Sequence, residues 1–239
     1  MNVYEVNSLP SLLKGNTYPG RGIAVGKSAD GKKAVFVYFI MGRSANSRNR
    51  VFTQRDEAVY TEPFDSDKVE DPSLIIYAAI RKYKDNLIVT NGDQTDTIYN
   101  GIKSGISFDD ALSARCFEPD PPNFTPRISA MATFREHDFT YQMSILKSGD
   151  ETGSFCNRFS YHYGAKSGVG HFIHTYVCDG TPIPTFQGEP ERISIPNDID
   201  AFTQDIWNAL DENNKISLYV RYVDLASGAE ENRMINRNQ

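Results

Sequence analysis

The sequence predicts an α+β fold of stacked antiparallel sheets with helices outside. Three observations carry this. Strand-like segments come in runs, tight turns join them, and helical segments follow those runs instead of alternating with single strands. The chain has 239 residues, 39% hydrophobic and 23% charged, which is enough apolar material for a sizeable core. No linker and no internal repeat interrupts it, so residues 1–239 are expected to form one domain.

Strand signals dominate the first half. Residues 21–26 and 33–41 flank Asp30-Gly31, a good hairpin turn. Residues 51–53 and 58–61 read as shorter strands, and 65–72 as a solvated acidic loop. Residues 74–83 and 87–90 form another strand pair, turning at Lys84-Asp85-Asn86. Two helices are expected next. One covers residues 95–103 and stops at Gly105. The other covers 108–115, with Asp110 three residues after the capping Ser107. Four prolines make 118–126 an irregular loop.

Strands return at residues 127–134 and 139–147, turning at Glu136-His137-Asp138, and again at 157–163 and 171–177. Residues 182–196 read as irregular. The strongest helix signal is 198–210, where Ile199, Phe202, Ile206, Ala209 and Leu210 share one face and Asn197 is the expected cap. Residues 216–224 form a late strand, and the polar tail from Ala226 is expected to fray.

Composition narrows the function classes. A net charge of −6 argues against a nucleic-acid partner, since a duplex-binding surface needs a positive excess. The longest apolar stretch, residues 34–41, is far too short to span a membrane, and no signal peptide is evident. The three cysteines, Cys116, Cys156 and Cys178, are widely spaced and form no CxxC pair, as expected for free thiols in the cytoplasm. No metal or cofactor motif stands out. His171 and His174 are three apart, which on a strand points them to opposite faces, so they would not chelate one ion.

Several segments carry chemistry. Arg43-Ser44-Ala45-Asn46-Ser47-Arg48-Asn49-Arg50 follows a buried strand and offers three guanidinium groups, two amides and two hydroxyls. Guanidinium matches phosphate bidentately. A solvated basic loop is the plainer alternative, but no acid is interspersed and the whole chain is negative, which favours anion binding. Tyr18-Pro19-Gly20-Arg21-Gly22 sets glycines around Arg21, allowing close backbone approach, although an ordinary turn would look the same. Thr90-Asn91-Gly92-Asp93-Gln94-Thr95-Asp96 lies at a strand-to-helix junction, a place for polar ligands or simply for a turn and a cap. Strand alternation puts His174 and Tyr176 on one face and His171 and Thr175 on the other. One of these pairs could face a pocket, or both could simply edge the core, and Glu189 lies in an irregular loop of the kind that often carries binding residues. Neither GxGxxG nor a Walker A motif occurs.

In this order and spacing, the motifs resemble the archaeal-type IMP cyclohydrolase family. The resemblance rests on Tyr18-Pro19-Gly20-Arg21 with Val25-Gly26-Lys27, and on Gly42-Arg43-Ser44 through Arg48-Asn49-Arg50. Thr90 to Asp96, Asp110-Ala111-Leu112 and Phe124-Thr125-Pro126-Arg127-Ile128 complete it, covering about residues 18–130. It implies a four-layer αββα sandwich similar to N-terminal-nucleophile hydrolases. The implied activity is ring closure of 5-formamidoimidazole-4-carboxamide ribotide to IMP, without cofactor. Carried onto this chain, Arg21, Arg43, Arg48 and Arg50, with Ser44 and Asn49, would hold the 5′-phosphate or polarise developing charge. Asn91, Gly92 and Asp93 would contact base or ribose, and Arg127 would bind phosphate or support the Asp93 loop. Tyr77 would be a proton donor. The second half matches less well, so His174, Tyr176 and Glu189 are assigned only as proton-handling or binding groups of a bacterial branch.

Two rivals stand beside this. One is an amide hydrolase with a processed N-terminal nucleophile, which Asn2 after Met1 could not supply. The other is a non-catalytic, regulatory purine-nucleotide-binding protein. The expected partner in either purine reading is a small ribotide. The sequence is compatible with a homo-oligomer and does not specify one.

Overall fold

The computed structural model describes residue 2, residues 4–68 and residues 76–238. It contains two antiparallel sheets. The strands are β1 (Arg21–Lys27), β2 (Lys33–Met41), β3 (Val51–Arg55), β4 (Ala58–Glu62), β5 (Tyr77–Tyr83), β6 (Asn86–Thr90) and β7 (Arg127–Arg135). They continue with β8 (Asp138–Ser148), β9 (Cys156–Gly164), β10 (Val169–His174), β11 (Glu191–Ser194), β12 (Lys215–Asp224) and β13 (Glu230–Asn236). One sheet has the order β11-β10-β1-β2-β12-β13 and the other β3-β4-β5-β6-β7-β8-β9. The helices are α1 (Leu9–Leu13), α2 (Ala45–Arg48), α3 (Gln94–Lys103), α4 (Phe108–Ser113) and α5 (Ile199–Ala209).

Period-two alternation builds the layers. In β2, Phe36, Tyr38 and Ile40 join Ile23, Val25, Val89, Ile128 and Met143 in the core between the sheets. Their neighbours Val35, Val37 and Phe39 face the other way, onto Leu9, Phe202 and Ile206 of α1 and α5. A third cluster, Ile88, Met131 and Leu146 with Ile98, Phe108 and Leu112, seats α3 and α4 on the second sheet. Strands buried on both faces read as continuous apolar runs, as β2 does. The result is the expected four-layer αββα sandwich.

The structure corrects several local expectations. Asp198, not Asn197, caps α5, accepting from the N–H groups of Asp200 and Ala201. Asn197 instead accepts from the N–H of Asp30, tying down the β1–β2 turn. Strand β10 ends at His174, and the segment expected to be irregular contains β11, paired to β10. The tail does not fray: β13 pairs along β12. Asn236 also accepts from the Phe52 N–H and donates to the Phe52 carbonyl, so this strand bridges to the other sheet. The start of the expected 74–83 strand, and part of the 65–72 loop, lie outside the described residues.

Candidate functional site

One end of the sandwich gathers most of the basic residues singled out above. The segment entering β1 brings Tyr18 and Arg21. The link from β2 to β3 brings Arg43, Ser44, Asn46, Ser47 and Arg50. The proline-rich loop before β7 brings Glu118, Asp120, Asn123 and Thr125, and the segment after β10 brings Tyr176 and Ile183. Together they line a cleft of about 240 Å³. Gly20, at φ +80°, makes this convergence possible. A Cβ there would stand 2.2 Å from Thr175 Oγ1 and 2.5 Å from the Tyr176 ring. Tyr18 and Tyr176 consequently stack, centroids 5.7 Å apart.

The cleft has a charged rim and a charged floor. At the rim, α2 is closed by a reciprocal cap. Ser47 N–H donates to Ser44 Oγ at 3.1 Å, and Ser44 N–H to Ser47 Oγ at 3.0 Å. Arg43 lies over the Tyr18 ring at 5.2 Å and is ion-paired to Asp179. On the floor, Arg21, Arg50 and Glu118 are buried together. The Nε groups of Arg21 and Arg50 lack a hydrogen-bond partner among the described residues. Burial works against the Arg21 charge, but Tyr18 and Glu118 raise its guanidinium above the ordinary value. Burial and the neighbouring Arg21 push Arg50 down. Burial lifts the Glu118 carboxyl above the usual carboxylate range, against the opposing pull of Arg21, Arg127 and Arg50. Behind them, Tyr77 and Tyr38 share a 2.9 Å hydrogen bond between hydroxyls, within electrostatic reach of both arginines.

The other expected site residues frame the cleft instead of lining it. Arg127 donates to Gln94 Oε1 at 2.7 Å and pairs with Asp93 at the same distance. Asp93 is also held by Arg115. Burial opposes the Asp93 charge, but the two arginines keep its carboxyl below its ordinary range. Asn91 is fully used structurally. Its amide donates to the Pro126 carbonyl, and its Oδ1 accepts from Ile128 N–H and Gln94 Nε2, each at 2.9 Å. Gly92 leaves room for Arg127. A Cβ there would meet Arg127 Nη1 at 2.6 Å and approach Glu118 Oε1 at 3.4 Å. This junction therefore backs the floor through Arg127 and Glu118.

Arg48 and Asn49 fasten the loop. Arg48 donates to the Gly42 carbonyl and to Asn214 Oδ1, both at 3.0 Å. Asn49 donates to the Asp65 carbonyl and accepts from its N–H. Asn238 donates to the carbonyls of Arg48 and Arg50.

His174 and Glu189 are not brought to the cleft. His174 is buried against Phe172 and Phe186 beside a separate cavity. Its Nδ1–H donates to the Tyr176 carbonyl, and Nε2 lies 3.4 Å from Glu191. Glu189 is exposed, near Tyr161 and Tyr163. His171 faces the opposite way, as the spacing predicted, stacked on Tyr163 at 3.6 Å and bonded to the Tyr141 hydroxyl. Tyr176 does reach the cleft, sharing a 2.6 Å hydrogen bond with Thr125 Oγ1. Sequence reasoning missed Glu118, Asp120 and Asn123. The only available signal was a few polar groups in a loop whose prolines already explained its irregularity.

The family described as IMP cyclohydrolase-like protein matches residues 18–228, a span that takes in every residue lining the cleft. This chain belongs to that family. The match extends the IMP cyclohydrolase-like region well past the motifs at residues 18–130, through β12. The chain is 29% identical over 165 residues to the IMP cyclohydrolase of Methanococcus aeolicus, covering 67% of this chain and 75% of the relative. It is 37% identical over 123 residues to that of Methanothrix thermoacetophila, covering 49% and 59%. With that of Methanopyrus kandleri it shares 34% over 116 residues, covering 47% and 57%. In the latter two comparisons the chain spans less than two thirds of the relative's own length.

Proposed function

We propose that this chain is an IMP cyclohydrolase, closing the ring of 5-formamidoimidazole-4-carboxamide ribotide with loss of water. The observation that carries this is the floor of the cleft, where Arg21 and Arg50, backed by Arg127, surround the buried Glu118 carboxyl beneath a guanidinium rim. Family membership supplies the reaction class.

The chemistry asks little beyond such a site. The substrate's carboxamide nitrogen attacks its own formyl carbon, forming the C–N bond. The nitrogen loses a proton, and the formyl oxygen becomes a hydroxyl. That hydroxyl, protonated, then leaves as water while the former formamide nitrogen gives up its proton and forms the C=N bond. Nucleophile and electrophile both belong to the ribotide, so the protein's task is to fix the conformer, stabilise charge on the oxygen and move protons. In this assignment Arg21 and Arg50 face the formyl oxygen. Glu118 returns a proton to the departing hydroxyl, and the Tyr77–Tyr38 pair is the second proton source. The stacked Tyr18 and Tyr176 flank the ligand, and Arg43, Ser44 and Ser47 take the 5′-phosphate. Asp93, Arg127, Asn91 and Gly92 back the floor. Arg48 and Asn49 hold the rim loop in place.

The test is direct. Purified protein is mixed with the formylated ribotide and IMP formation is followed by absorbance. Tight binding of IMP without turnover would favour a nucleotide-binding role instead. Absence of both turnover and binding would refute the assignment.

A further inference from the structure

Arg43 is the most accessible of the three arginines in the cleft, and it is already engaged. Its Nη1 pairs with Asp179 and donates to the Gly180 carbonyl at 2.9 Å. Asp179 itself accepts from the Gly180 N–H at 2.8 Å, so carboxylate and carbonyl approach the guanidinium as one unit. Both sit on the segment 177–184, which forms one wall of the cleft through Ile183. Among the described residues, two hydrogen bonds besides those to Arg43 join that wall to the rest of the fold: Val177 accepts from Asn16 at 2.8 Å and Ile183 donates to Asn123 at 3.2 Å. Val177 closes the segment on itself by donating to the Pro184 carbonyl, and the Ile183 side chain is buried. Asp179 is about two-fifths exposed and Arg43 about one-third, so their pairing is screened by solvent and weak. The cleft, at about 240 Å³, also falls below the roughly 300 Å³ at which small-molecule sites begin.

We propose that Asp179 is a built-in stand-in for the ligand's phosphate: its carboxylate engages Arg43, and a phosphomonoester takes Arg43 by displacing it together with the wall that carries it. This role rests on the cleft binding a phosphorylated ligand. A phosphomonoester carries nearly two charges at neutral pH and three strong acceptor oxygens, against one charge on the carboxylate. It therefore wins the guanidinium, while a nucleoside gains nothing from the exchange. Asp179 thus sets specificity at the phosphate end alone, yielding Arg43 only to a ligand with a stronger anion, while a nucleoside binds without disturbing the pair.

The experiment compares wild type, Asp179→Asn and Asp85→Asn by calorimetric titration with IMP, inosine and inorganic phosphate. Asp85 lies in the turn between β5 and β6, away from the cleft, and controls for the change in net charge. Melting curves confirm that each variant folds. The expected result is roughly two- to five-fold tighter IMP and phosphate binding by Asp179→Asn, the range of an exposed ion pair. Inosine binding should not change, and Asp85→Asn should behave as wild type. Unchanged or weaker phosphate binding by Asp179→Asn would overturn the proposal, since Asp179 would then be a bystander or a positioner of Arg43. An equal gain in Asp85→Asn would overturn it as a bulk charge effect. If wild type bound no IMP, the proposed function would fall, while the inorganic-phosphate comparison would still decide the role of Asp179.

Discussion

Replacing Arg43 by alanine separates recognition of the phosphate from recognition of the rest of the ligand. A charge-assisted guanidinium–phosphate bond contributes about 1.5–3 kcal/mol. The protein gives up the Arg43–Asp179 pair to make it, and with the Arg43 side chain 34% exposed that pair is worth only about 0.2–1 kcal/mol. The net loss in Arg43→Ala is then about 0.5–2.8 kcal/mol, or roughly two- to hundred-fold in Kd for IMP. Inosine, which lacks the phosphate, should bind the variant as it binds wild type. The stacking of Arg43 over Tyr18 contributes about 0.5–1 kcal/mol to stability and the pair with Asp179 about 0.2–1 kcal/mol, so the melting temperature should fall by no more than about 8 °C. Isothermal titration with both ligands is the assay. Equal losses for IMP and inosine would refute the placement of the phosphate at the rim.

Glu118→Gln should lower kcat by about a hundred-fold or more, the usual contribution of a positioned proton-transfer group, while IMP binding is retained. Steady-state kinetics with the formylated ribotide checks this, and near-wild-type kcat would remove Glu118 from the chemistry. Asn91→Ala strands the Ile128 N–H and the Pro126 carbonyl in the interior, costing about 3 kcal/mol and lowering Tm by roughly 6–12 °C. A melting temperature within a degree or two of wild type would contradict that structural role. Burial, with Arg192 nearby, depresses the His171 pKa to about 4. Unfolded His171 takes up a proton near pH 6.5 and the folded residue does not, so stability is full above about 6.5 and is lost as pH falls toward 4. For this half-buried ring the loss is about 1–3 kcal/mol. Urea unfolding at pH 7 and pH 4.5 should show a smaller pH dependence in His171→Asn, and identical dependence would exclude this source.

The layers were legible because β2 and its partners are apolar on both faces and the turns at Asp30-Gly31 and Lys84-Asp85 carry strong local signals. Strand β13 was not legible. Its sequence Glu-Glu-Asn-Arg-Met-Ile-Asn is that of an edge strand only partly buried, so tertiary pairing with β12 overrides a polar pattern. Strand β11 is four residues long and sits between prolines, too short for periodicity to register. The basic loop was found because its chemistry is concentrated in eight consecutive residues. The structure divides those residues by task. Arg43, Ser44 and Arg50 line the cleft, and Arg48 and Asn49 fasten the backbone. Spacing along the chain cannot show that division, because it depends on carbonyls supplied by Gly42 and Asp65. Glu118 and Asp179 escaped notice for a related reason: an isolated acid has no local pattern, and its meaning comes from arginines far away in the chain.

The amide of Asn238 reaches the carbonyls of Arg48 and Arg50 across 190 and 188 positions of sequence. Contacts at such separation are among the last to form, since the loop-closure entropy of joining them is offset only once the intervening structure is in place. The β1–β2 hairpin, by contrast, needs only neighbours in the chain. During synthesis the rim can take its bonds to Gly42 and Asp65 early, whereas those from Asn238, just past β13, wait until the end of that strand has emerged and docked. The last fastening of the rim therefore comes from the far end of the sequence, from a residue that lines no part of the cleft.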